Sequence, residues 1–327
     1  MFNDARRRLA FAVTAILLAL SPTYSQDFPN DQKIRLIVPV QPGAMADSLA
    51  RVFAQKVNER TGTIVVVENK TGANGMLAAN EVAKSSPDGL TVLLGFQGTN
   101  AVLPHLDPKL PYKPLTDFAP VVQLASTPVV LVVNPSFPAK TMKEFVEIVM
   151  NKPGGYSYAS AGFGTTHHLA AELFNVTVGA KLVGVNYRGA APANTDVIAG
   201  HVPIAFDNLG NAMNNVRAGK VRALAVASEK RAPQLPEIPT MAEAGVPNVV
   251  VSPWFALFVP AGSPKDAIAW LNKQANEIFS APDVRDQFAR QGVVLPLGTP
   301  EGLGALVENE YKKWGEVVRK ANITLPQ

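Results

Sequence analysis

The sequence predicts an α/β protein built as two lobes, and three observations carry that expectation. From Lys33 to Gly95, β-branched runs alternate with helix-patterned segments at the spacing of parallel strands joined by crossover helices. The segments "IRLIVPVQPGAMADSLARVF" and "YSYASAGFGTTHHLAAELF" share one grammar: strand, glycine-containing turn, small hydroxyl or acidic residue, helix. They lie far apart in the chain, so each fits a lobe of its own. The 327 residues are 47% hydrophobic, which supplies two cores at roughly 100–200 residues per domain.

The elements follow in order. Arg6, Arg7 and Arg8 precede an apolar run from Leu9 to Leu20, and Ser21 to Ser25 follow it. A positive start, a short apolar stretch and small residues form a secretory signal peptide over residues 1–25, cleaved near Ser25. The run is too short to cross a hydrocarbon core of ~30 Å. Export without disulfides suits a bacterial periplasm.

Lys33–Val40 then reads as a strand, Gln41–Asp47 as a turn, and a helix runs to about Asn58 with Leu49, Val52, Phe53 and Val57 as its apolar face. Thr63–Glu68 and Thr91–Gly95 are further strands, and Met76–Lys84 is a helix. A proline-rich stretch from Pro104 to Pro120 leads to strands near Val121–Leu124 and Val129–Val133. Thr141–Met150 is an amphipathic helix opened by a threonine cap. Tyr156–Ala159 is a strand, Gly162–Thr165 a turn and Thr166–Phe174 a helix. Alternation continues through Lys181–Val185, Asn194–Ala199, Ile204–Phe206 and Ala223–Ala227. The last third holds one apolar strand, Phe255–Val259, and two long helices around Pro264–Ser280 and Pro300–Ala321.

Several chemistries are excluded by composition. With no cysteine there is no disulfide scaffold, thiolate zinc site, iron–sulfur cluster or thiol nucleophile. The formal charge of +4 is small and scattered, so no nucleic-acid footprint is expected. The lipase-type Gly-x-Ser-x-Gly elbow fails because Tyr158 stands two residues before Ser160. A phosphate loop and a His-Glu-x-x-His helix are absent, and Gly162-Phe163-Gly164-Thr165-Thr166-His167 breaks the dinucleotide fingerprint at its last glycine. His168 and Glu172 share a helix face without a third metal ligand, and nothing nearby in the sequence orients His167 against Ser160 as a catalytic base. Neither a metal nor a cofactor is expected.

Binding chemistry fits better. In open parallel sheets, ligands sit beyond the carboxyl ends of the strands, at helix N-termini whose first N–H groups lack intrahelical partners. The turns at Gly43–Ala46 and Gly162–Thr166 supply two such ends, and a carboxylate accepts from them. The small residues Gly43, Ala44, Ala161, Gly162 and Gly164 let a ligand approach the backbone. Asp47, Thr165 and Thr166 also suit helix capping, the favoured role for Asp47. Gly98, Thr99 and Asn100 follow a strand and offer a hydroxyl and an amide, or form a plain turn. Arg188 is a candidate anion partner or an exposed cation. Asp207 ends the strand "PIAFD", either as an acceptor for a ligand donor or as another cap.

At these residues the chain resembles the solute receptors of tripartite tricarboxylate transporters, the Bug family of periplasmic binding proteins. The matching stretches are "IRLIVPVQPGAMADSLAR", "IVVVENKTGANGMLAANEVAKSSPDGLTVLL", "LPYKPLTDFAPVVQLASTPVVLVV", "YSYASAGFGTTHHLAAELF", "VNYRGAAPANTDVIAGHVPIAFD", "VRAGKVRALAVASEKRAPQLPEIPTMAEAG" and "WFALFVPAGSP". They run in order over almost the whole exported chain. The resemblance implies a type II, Venus-flytrap fold in which two crossing strands join the lobes. Lobe 1 would comprise 26–125 plus 254–327, and lobe 2 would comprise 126–253. It also implies that the turns Val40–Asp47 (Val40, Gln41, Gly43, Ala44, Met45, Ala46, Asp47) and Ser160–His167 (Ser160, Ala161, Gly162, Gly164, Thr165, Thr166, His167) pinch a carboxylate, with Asp207 and the Thr99 loop facing the same cleft.

Three positions depart from the family pattern. Pro39-Val40 replaces the usual Pro-Phe, Gly43-Ala44 the usual double glycine, and His167 stands where a small residue is usual. The expected function is a non-catalytic periplasmic receptor for a small organic carboxylate: a dicarboxylate, an amino acid or an aromatic acid such as terephthalate. Its expected partners are the membrane transporter subunits, and the receptor itself is expected to be monomeric. A sensory receptor for a membrane kinase and an exported hydrolase acting through Ser160 with His167 or His168 are the alternatives.

Overall fold

The computed structural model describes residues 28–30 and 32–324; the export segment expected over 1–25 lies outside them. Among these described residues ten strands form two five-stranded sheets of one design. In the first, β1 (Ile34–Val38) lies between β2 (Val65–Asn69) and β3 (Thr91–Phe96), parallel to both. β10 (Trp254–Pro260) then pairs antiparallel with β3 and with the edge strand β4 (Phe118–Ser126). In the second, β6 (Ser157–Ser160) lies between β7 (Val183–Asn186) and β8 (Ile204–Asn208), parallel to both, and β5 (Val129–Val133) pairs antiparallel with β8 and β9 (Arg222–Val226). The orders β2-β1-β3-β10-β4 and β7-β6-β8-β5-β9 therefore correspond strand for strand. The expected parallel units hold at β1–β3 and β6–β8, and each sheet is completed by two antiparallel strands.

The sequence explains the placement of several elements. β1 and β5 carry almost continuous buried aliphatic residues, as strands covered on both faces do. β4 contains Pro120, whose missing N–H is tolerated because β4 is an edge. α1 (Met45–Thr61) buries Leu49, Phe53 and Val57 and ends on Gly62 in the left-handed conformation. α2 (Met76–Ala83) completes the crossover from β2 to β3, and the short α3 (Leu103–Leu106) follows β3 on the way to β4. α4 (Met142–Asn151) opens with a capping box: Thr141 Oγ1 accepts from the Glu144 N–H while the Glu144 carboxylate accepts from the Thr141 N–H.

α5 (Thr166–Val178) and α6 (Ala190–Ala199) flank the second sheet. α7 (Leu209–Arg217) and α9 (Pro282–Ala289) occupy stretches where no helix was anticipated. α8 (Lys265–Ser280) and α10 (Pro300–Lys320) are the two long C-terminal helices. Among the described residues no helix is long and apolar enough to cross a membrane.

The chain passes between the sheets twice, from β4 to β5 and from the segment after β9 into β10. The crossings are bonded to each other, Thr127 N–H donating to Pro253 O and Val129 N–H to Val251 O, and Val251 N–H donates back to Ala227 O at the end of β9. Ser126 and Val294 exchange both backbone bonds at 2.8 Å, which ties the crossing to the segment after α9. Beside it, the lobes touch backbone to backbone. A Cβ on Gly210 of α7 would lie 2.4 Å from the Gln291 carbonyl oxygen.

Candidate ligand-binding site

The two strand–turn–helix segments occupy equivalent places. β1 and β6 are each second from the edge of their sheets, and each carboxyl end leads through a glycine turn into a helix. In α1 the first intrahelical bond runs from Ser48 N–H to Ala44 O, so the amides of Met45, Ala46 and Asp47 precede it. In α5 it runs from Leu169 N–H to Thr165 O, leaving Thr166, His167 and His168 ahead of it. Neither N-cap residue, Ala44 or Thr165, makes a side-chain cap bond. That corrects the N-cap role favoured for Asp47 and removes the capping alternative for Thr165 and Thr166. Asp47 is in the first turn of its helix, Thr166 is the first helical residue, and the Thr165 hydroxyl donates to Gly162 O at 2.6 Å.

Asp47 instead holds the first turn together. Its buried carboxylate accepts from Gly43 N–H at 2.9 Å, Arg51 Nε at 2.8 Å and Asn69 Nδ2 at 2.9 Å. Burial pushes its pKa up, but the bonds from Arg51, Gly43 and Asn69 outweigh it and bring the pKa down to about 2. Asn69 also donates to Val40 O at 3.0 Å and so joins the end of β2 to the turn. Val40 and Met45 are half-buried, Gln41, Gly43 and Ala44 are exposed, and Ala46 is buried. Ala44 adopts φ −73° and ψ 164°, which any residue tolerates, so alanine fits without strain where the family pattern has glycine.

The second turn is built on Ser160 and Gly162. Ser160 is fully buried; its hydroxyl donates to Gly162 O at 2.9 Å and accepts from Gly162 N–H at 3.2 Å. Gly162 sits at φ +135°, where a side chain is strained. Ala161 and Gly164 are half-buried. The segment after β7 is clasped to this turn: Tyr187 N–H donates to Ser160 O and Gly189 N–H to Ala161 O. Arg188 is thereby carried beside the turn with its side chain exposed.

His167 and Asp207 come together as an enclosed pair. His167 Nε2 lies 3.1 Å from Asp207 Oδ1, and the side chains are 4% and 2% exposed. Asp207 further accepts from Asn208 N–H at 2.8 Å, Asn211 Nδ2 at 3.1 Å and Asn194 Nδ2 at 2.7 Å. Asp207 thus lies beside His167, a neighbour that the sequence did not reveal. The Ser160 hydroxyl, however, is engaged with Gly162, and no bond joins it to His167. Arg51 and Asn69 around the first turn, and Asn194 and Asn211 around Asp207, also escaped the sequence. Asn69 was legible in principle, because β2 pairs with β1 in register and brings Asn69 opposite Val38.

The remaining candidates are placed as follows. Gly98, Thr99 and Asn100 lie in a π-helical turn, Gly98–Val102, after β3. Thr99 and Asn100 are fully buried; the Thr99 hydroxyl lies 3.0 Å from Phe96 O and 2.6 Å from Asn100 Oδ1, and the Asn100 amide nitrogen has no partner. His168 and Glu172 diverge. His168 stacks on Phe163 at 4.5 Å and accepts from Gly164 N–H at 3.3 Å, while Glu172 accepts from the Tyr158 hydroxyl at 2.9 Å. Burial lowers the His168 pKa, consistent with that acceptor role. Among the described residues no group of three or more His, Asp or Glu side chains is placed to hold a metal ion.

Comparison with known proteins agrees with this architecture. The family described as "Tripartite tricarboxylate transporter family receptor" matches residues 49–323. Protein BugT of Bordetella pertussis is 35% identical over 316 residues, covering 96% of each chain. An adipate-bound protein of Rhodopseudomonas palustris is 33% identical, with a TM-score of 0.74 over 91% of this chain and 100% of its own. MatC of the same organism, with bound malate, is 34% identical, with a TM-score of 0.70 over 88% of this chain and 98% of its own. Other similar structures are described as the periplasmic binding protein BugD, 31% identical, and a TctC solute binding protein from Polaromonas, 26% identical. The chain belongs to the tripartite tricarboxylate transporter receptor family, as one of its periplasmic solute-binding proteins.

Proposed function

We propose that the receptor captures a small organic carboxylate, a dicarboxylate foremost, between the Val40–Asp47 and Ser160–His167 turns. It then delivers the ligand to the membrane subunits of a tripartite tricarboxylate transporter. The observation that carries this is the pair of helix N-termini at equivalent strand ends, both without side-chain caps. Their free amides suit a carboxylate, and each charge-assisted bond contributes about 1.5–3 kcal/mol before ordering costs. Dicarboxylates bound to two relatives support the same class. In this reading the lobes are 26–125 plus 254–327 and 126–253, they close about the crossings near 126–128 and 251–253, and the exported protein acts as a monomer after cleavage near Ser25.

A thermal-unfolding screen of the exported chain against organic acids tests it. A bound dicarboxylate at 100 times its dissociation constant is expected to add about 2.7 kcal/mol, a rise of several degrees. A folded protein that responds to cationic or neutral solutes and to no acid contradicts the proposal.

A further inference from the structure

We propose that the groove between α7 and α9 is a docking surface for an acidic, partly apolar segment of the transporter's membrane subunits. The proposal rests on the delivery function proposed above and goes beyond it to the surface that the partner meets.

The groove exists because the two lobes adjoin there. Leu209, Ala212 and Met213 of α7 pack into one core with Val130 and Val132 of β5. Val284 and Phe288 of α9 pack into a different core, with Ile34 and Leu36 of β1. Between the two helices lie two adjoining cavities of about 460 and 410 Å³, which share Gln234, Asp286 and Ala289 as lining residues. Gln234, in the segment after β9, bridges the walls by donating from Nε2 to Ala289 O at 3.3 Å. A segment seated along both cavities therefore touches both lobes at once.

The chemistry of the walls selects an acidic occupant. Arg217, Arg285 and Arg290 line the groove, and Asp286 is the acid among the described lining residues. Elsewhere Arg35, Arg51, Arg60 and Arg231 are each paired with a carboxylate. Among the described residues no ion pair holds the three groove arginines, although Asp286 and Arg290 have the i, i+4 spacing that suits one. Arg217 instead donates to Gln234 O at 2.8 Å, which sets its guanidinium along the wall with further N–H donors to spare. Guanidinium forks of this kind match carboxylates. Beside them, Met213, Pro233, Pro282 and Leu295 supply apolar wall. The three arginines and Asp286 are exposed, so the groove does not enclose a small molecule as a solute pocket does. It presents cations that the protein itself leaves unneutralised, and their complement is a run of carboxylates on a partner chain.

Photocrosslinking and uptake in proteoliposomes holding the cognate membrane subunits test the proposal. The chain has no cysteine, so Asn214→Cys in the groove and Lys152→Cys after α4 each carry a single thiol-linked photoprobe. Position 152 is a control: α4 packs on β5 through Leu131 and Val133, the face opposite α7. The probe at 214 is expected to crosslink a membrane subunit and the probe at 152 to give no such product. Arg217→Glu with Arg290→Glu is expected to fold, to bind adipate as wild-type protein does, and to lower adipate uptake about tenfold or more by like-charge repulsion. If wild-type protein drives adipate uptake and the charge-reversed variant drives it equally, the docking surface is wrong and delivery stands. A crosslink from 152 in place of 214, or a loss of adipate affinity in the folded variant, also overturns it. If the probe at 214 crosslinks while wild-type protein drives no adipate uptake, the surface stands and delivery of that acid fails. With neither crosslink nor uptake, both fall.

Discussion

At the scale of single residues, Asp47 and Gly162 shape the turns. The pKa of Asp47 falls from 3.8 to about 2 on folding, so the folded state holds its proton less tightly than the unfolded chain does. Its stabilisation is complete above about pH 4 and is lost as pH falls towards 2. Asp47→Asn is expected to cost about 1–3 kcal/mol at neutral pH and to flatten the acid limb of stability between those values, as measured by urea unfolding across a pH series. The role of Asp47 as a clamp was only half legible. The sequence shows an acid in the first turn of a helix with Arg51 one turn on, but its partner Asn69 becomes visible only when β2 is paired with β1. The His167–Asp207 pair was still less legible, because it needs β8 beside β6, and no local pattern sets that order.

At the scale of elements, local chemistry decides some boundaries and tertiary pairing the others. α4 begins where Thr141 and Glu144 satisfy each other's backbone donors. Thr141→Ala is expected to lower stability by about 1 kcal/mol and to leave ligand affinity unchanged, read by thermal unfolding and titration on the same sample. Strong alternation made β1–β3 and their crossover helices readable, because parallel strands and amphipathic helices carry contrasting periods. α7 was missed because its stretch is rich in Asn and Gly, poor helix formers held here by the burial of Leu209, Ala212 and Met213. The antiparallel insertion of β10 between β3 and β4 is a long-range pairing that its apolar sequence alone does not orient. α10 is anchored by buried polar bonds: Glu310 accepts from Gln97 at 2.6 Å and from Trp314 at 2.9 Å and pairs with Lys313, which donates to Val250 O at 3.1 Å. These bonds link the end of β3 and the second crossing to one helix.

At the scale of the whole molecule, two sheets of identical order place two helix ends without side-chain caps in equivalent positions, joined by crossings that bond to each other. The close approach of Gly210 to Gln291 gives the lobes a tight contact beside those crossings. In the proposed capture between the two turns, damage to either turn weakens binding of the same ligand. The most direct measurement is calorimetric titration of adipate into wild-type protein, Asp47→Asn in the first lobe and Gly162→Ala in the second. Gly162→Ala imposes a side chain at φ +135°, a strain of about 1–3 kcal/mol on the second turn. The account predicts that adipate binds wild-type protein and that each folded variant loses about tenfold or more in affinity. Unchanged adipate affinity in a folded variant of either turn would contradict capture between the lobes.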